Sequence, residues 1–238
     1  MSVLMRAPQE CASWFWDLED CAPPGLRSAL STAARMSDVL KKHELLTPDA
    51  LEWFWMVPEA GGAVAKTRLR LTAPLDDERT ARRVEESRPV GFPNAEFSSF
   101  LVAGAGMWFD EHGVRRHEDR LVELTVSSEP LGLSADVSVH HDIWGPFDFR
   151  GTPHPDVQRQ NAPRLAAALK ELDELLGVAA EPGGADVLRK GGRTRRRGAG
   201  GDRRTRSRPD RSAMTNEGTK GGTPAWLRSS RHRKCATG

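Results

Sequence analysis

Residues 47–73 read TPDALEWFWMVPEAGGAVAKTRLRLTA. Side chains on a strand alternate between two faces, so Trp53 and Trp55 share one side while Phe54 and Met56 share the other. Gly61-Gly62 reads as a turn. The alternation then resumes: Leu69 and Leu71 face one way, and Lys66, Arg68 and Arg70 face the other. Short strands joined by a short connection favour an antiparallel sheet.

The flanking sequence extends this pattern. CASWFWDLEDC, residues 11–21, is aromatic and reads as strand or irregular chain. Between about Gly25 and Leu46 apolar residues recur near helical spacing, which predicts one or two helices, with Ser37 an N-cap for the second. PLDDERTARRVEES, residues 74–87, predicts a short helix with Asp76 and Asp77 at the positive end of its dipole. EFSSFLVAGAGMWFDEHGV, from Glu96, reads as strand, turn signals and strand. DRLVELTVSS is another strand, with Val122, Leu124 and Val126 on one face. LSADVSVHHDIW, from Leu133, is read as the next, continuing to Trp144. Leu165, Leu169, Leu172 and Leu176 then make one apolar stripe of a closing helix, stopped at Gly177. Pro163 places the start of that helix near Ala162, with PDVQRQ a separate turn before it. Regular strand–helix alternation is missing, which argues against a doubly wound fold. The fold class expected is α+β: an antiparallel β-sheet with helices packed on one face.

Charge and apolar content divide the chain. Residues 186–238 hold 16 Lys/Arg and 4 Asp/Glu, a net +12. The totals of 35 and 33 leave 19 and 29 for residues 1–185, a net −10. Every Phe lies at or before Phe149, and after Leu188 the only large apolar side chains are Met214, Trp226 and Leu227. These features predict a single acidic domain over 1–181 and a disordered Arg/Gly-rich tail over 182–238. The tail could associate weakly with nucleic acid by counterion release, or it could be an accidental extension of GC-rich reading frame. The acidic body argues against a broad nucleic-acid face on the folded part.

Three cysteines without a Cys-x-x-Cys pair give neither a disulfide framework nor a zinc site. The first residues carry no apolar run of signal-peptide length, and no stretch approaches about 18 apolar residues. The expectation is a cytoplasmic protein without membrane contact. AGGAVAKT, residues 60–67, misses the phosphate-binding loop because Ala60 and Ala65 replace its glycines and a strand follows. No other catalytic signature is present, and no cofactor is expected.

Two places could carry chemistry. On the strand from Leu133, Asp136, Ser138, His140, Asp142 and Trp144 share a face, and His141 points to the other. Asp136, His140 and Asp142 are therefore the candidates for a metal-assisted enzyme, although residues i and i+2 lie about 6.5–7 Å apart. The bland reading is a solvated polar face. GPFDFRGTPHP follows, a loop of turn formers. Trp144, Phe147, Asp148, Arg150 and His154 are the candidate binding residues there, since loops on rigid scaffolds carry function. SWFWDL (13–18) and EWFWMV (52–57) echo each other as aromatic-rich strands. In form rather than by any motif, a small acidic Trp-rich α+β domain resembles bacterial proteins that act by binding another protein, such as toxin-neutralising immunity proteins. That resemblance implies a non-enzymatic protein-binding module whose acidic face steers it to a basic partner.

Overall fold

A computed structural model describes residues 4–57 and 62–183. Residues 184–238, most of the expected tail, lie outside that range. Strands β1 (Ala12–Asp17), β2 (Thr47–Val57), β3 (Gly62–Arg70), β4 (Glu96–Phe109), β5 (Arg115–Asp119), β6 (Glu123–Ser128), β7 (Leu133–Val139) and β8 (Glu181–Pro182) form one antiparallel sheet. Its order is β3-β2-β4-β6-β7-β1-β8, with β5 added to β4. The helices are α1 (Leu26–Lys42), α2 (Glu78–Glu86) and α3 (Pro155–Leu176). The architecture is α+β, as the alternation predicts.

Register explains why one side of the sheet is covered. Leu51, Val102, Leu124, Val137 and Trp14 are successive partners across five strands. This row packs with Ala29, Leu30, Ala33, Met36 and Leu40 of α1, Ala81 and Val84 of α2, and Leu165, Ala168 and Leu172 of α3 in one core. Trp53 and Trp55 point into it and Phe54 points away, 49% exposed. Trp16 Nε1 donates to Asp173 at 2.8 Å, which ties β1 to α3. No helix among the described residues is long and apolar enough to cross a membrane.

Four local expectations need correction. Ser37 is buried inside the one helix of this stretch rather than capping a second. Residues 96–109 are one strand without a turn, because Gly104 and Gly106 serve a close approach. A Cβ on Gly104 would lie 2.1 Å from the Thr47 carbonyl oxygen, and one on Gly106 would lie 2.2 Å from that of Leu45. The strand from Leu133 stops at Val139, and Asp142–Trp144 form a 3₁₀ turn. Finally, α3 starts at Pro155 and runs through Pro163. Its two sides are clamped to β4. Asn161 Oδ1 accepts from Phe109 N at 2.9 Å, and Nδ2 donates to Phe109 O at 2.8 Å. Arg164 donates to Met107 O at 2.8 Å and His43 O at 2.7 Å. Pro163 itself faces solvent, so water can solvate the carbonyl it leaves without a donor. Gly177, at φ 70°, ends the helix as expected.

Candidate functional site

The helix-free face of the sheet is polar but not uniformly so. Arg68, Glu52, Leu101, Thr125, Asp136 and Phe15 are successive partners from β3 to β1. The charges in this row are treated very differently at its two ends.

At the β3 end the buried charge is compensated. Glu52 is buried on β2 and meets Arg120 at 2.5 Å, Lys66 at 3.1 Å and Arg68 at 3.2 Å. The Arg120 guanidinium, more than any other group, holds the Glu52 carboxyl below the usual carboxylate range. Arg120 continues to Glu123 at 3.4 Å, and Glu123 also receives Arg6 at 2.7 Å. His140 Nε2 lies 3.5 Å from the same carboxylate. Lys66 also sits 5.8 Å above the Phe54 ring.

At the β1 end the balance fails. Asp136 has no hydrogen-bond donor and no cation among the described residues. Burial pushes its pKa up to about 6, helped by Glu10 and Glu123. Glu10 accepts a hydrogen bond from the Ser13 hydroxyl at 3.0 Å. Strand spacing of about 4.8 Å puts Glu52 and Asp136, three strands apart, roughly 14 Å from each other. That exceeds the Debye length of about 8 Å at physiological salt, so the cations around Glu52 do little for Asp136. Beside Asp136 stands Phe15, 39% exposed.

The two echoing segments thus play matching parts. Each Trp-Phe-Trp puts its Phe on the helix-free face, and Trp16, Trp53 and Trp55 are buried on the other. Sequence alternation exposes this arrangement once the face is known. It missed Phe15 and Glu10 as site residues because Glu10, Phe15 and Asp136 meet only through the β1–β7 pairing.

The metal-ligand set read from the sequence does not assemble. Asp136 stays on β7, His140 leans to Glu123, and Asp142 turns away into the 3₁₀ turn, where Met5 N donates to it at 3.3 Å. Among the described residues, no group of three or more His, Cys, Asp or Glu could hold a metal ion. His141 is fully buried, and its pKa falls to about 4, chiefly by burial. The Cys11 thiol is buried and pushed up to about 11 by that burial, which leaves little nucleophilic thiolate.

The five loop candidates divide by what they touch. Asp148 accepts from Arg150 N at 2.9 Å and Thr152 N at 2.7 Å. The backbone donors, Thr152 first, hold its pKa below the ordinary value. His154 Nε2 lies 2.9 Å from Gly145 O. A bridge between Phe147 and Pro153 closes the loop. Asp148 and His154 therefore shape the loop. Trp144 is buried, while Phe147, Phe149 and Arg150 face solvent.

No family model, curated protein or solved structure matches the chain.

Proposed function

We propose that this protein is a binding module for another protein with a basic surface, and that it engages that partner through the helix-free face around Asp136 and Phe15. The supporting observation is the Asp136 carboxylate, without a cation among the described residues, beside an exposed phenyl ring. A carboxylate already half-stripped of water gains from a Lys or Arg delivered to it, because most of its desolvation is complete before the partner arrives. Phe15 supplies the apolar area around that contact, and aromatic and Arg residues dominate the binding energy of such interfaces. The Glu52 cluster has its own cations and stiffens the far half of the same face.

Affinity capture from the native cell tests this reading when the wild type is compared with Asp136→Lys and Phe15→Ser. A basic protein retained by the wild type should fall at least tenfold on either variant. Equal recovery on all three would exclude this face as the docking surface.

A further inference from the structure

On the opposite side of the sheet, a cleft of about 580 Å³ lies between the start of α1 and the end of α2. Leu26, Trp55, Val84 and Phe97 form its walls. Its volume is within the range of about 300–1,000 Å³ that holds small ligands or anchoring side chains.

Three exposed carboxylates, Glu85, Glu96 and Glu129, stand on the rim. None of them has an ion-pair partner among the described residues. Arg88 lies over the Trp55 ring at 5.6 Å from its centroid and donates to Pro93 O at 3.2 Å. The indole wall therefore already accommodates a guanidinium. The N-terminus of α1 adds the equivalent of about +0.5 charge, which would favour an anion. Against three carboxylates and one arginine that contribution loses, and the rim remains negative by about 1.5 charges.

We propose that this cleft is a second binding site, for a peptide segment in which Arg or Lys alternates with apolar residues. The cation docks against Glu85, Glu96 and Glu129, and the apolar side chain packs on Phe97 and Val84. The site lies on the helix side of the sheet and does not depend on the reading of the Asp136 face.

Calorimetric titration of the full chain with the peptide acetyl-Leu-Arg-Leu-Arg-amide tests it. Saturable one-to-one binding is expected. A citrulline version, equal in shape but uncharged, should bind at least tenfold more weakly. The triple variant Glu85→Gln/Glu96→Gln/Glu129→Gln should also lose about tenfold, while Asp136→Lys should bind as the wild type does. These carboxylates are exposed, so an unchanged melting transition confirms that the variant is folded. Arg88→Ala frees the indole face and should strengthen binding several-fold. Absence of binding, equal binding of the citrulline peptide, or indifference to the triple variant would overturn the proposal. Spermine binding as tightly as the peptide would overturn it too, by assigning the cleft to small polyamines.

Discussion

Asp136 carries a carboxylate that the folded protein disfavours. Its pKa rises from 3.8 to about 6, so over that interval the folded protein holds a proton that the unfolded chain has released. Its contribution to stability therefore falls as pH rises through this window. Asp136→Asn removes the penalty and should stabilise the fold by about 1–2 kcal/mol near neutral pH, after discounting for residual solvent. The gain should shrink to nothing as pH falls toward 4, which urea midpoints at several pH values would reveal. His141 acts in the opposite sense. Its pKa drops from 6.5 to about 4, so its contribution is complete above that window and is lost as pH falls through it. The two slopes partly cancel in the wild type, and Asp136→Asn should expose the steeper acid loss. Glu52 is different again, since it is buried against three cations. Glu52→Gln should destabilise by about 1–3 kcal/mol in the same assay. Sequence placed Asp136 on a polar strand face correctly. It could not reveal that Glu52 gathers three cations while Asp136 receives none among the described residues, because Arg120, Lys66 and Arg68 meet Glu52 only in the folded sheet.

At the level of elements, period-two alternation made β2, β3 and β6 legible, because the residues turned to the helices are more apolar than those turned away from them. The same rule over-extended β7. His140 and Asp142 continue its alternation in polarity, yet the chain leaves the sheet at Val139, as Met5 and Ala7 bond the following residues. Gly104 and Gly106 look like turn signals, and only the crossing of residues 45–47 explains them. Gly106→Ala should therefore cost several kcal/mol, as overpacking against backbone does, and should lower the urea midpoint sharply. Pro163 has the opposite sign. Its ring interrupts α3 at an exposed position while Asn161 and Arg164 hold the helix to β4. Pro163→Ala restores a helical hydrogen bond and should stabilise by about 1–2 kcal/mol, once the looser unfolded chain is allowed for.

For the whole molecule, residues 1–185 carry a net charge of −10 and the sheet keeps one face free of helices. An acidic body accelerates encounter with a basic partner, so association should slow about tenfold or more between low and high salt while dissociation changes less. Stopped-flow mixing at two ionic strengths measures this. Coverage of Asp136 and Phe15 by a basic protein can be measured by zero-length carbodiimide coupling of the captured complex, which joins carboxylates only to amines in contact with them. Cross-links from Glu10 or Asp136 to partner lysines are expected, lost on Asp136→Asn/Glu10→Gln. Cross-links confined to carboxylates of α1, α2 and α3 would contradict that coverage.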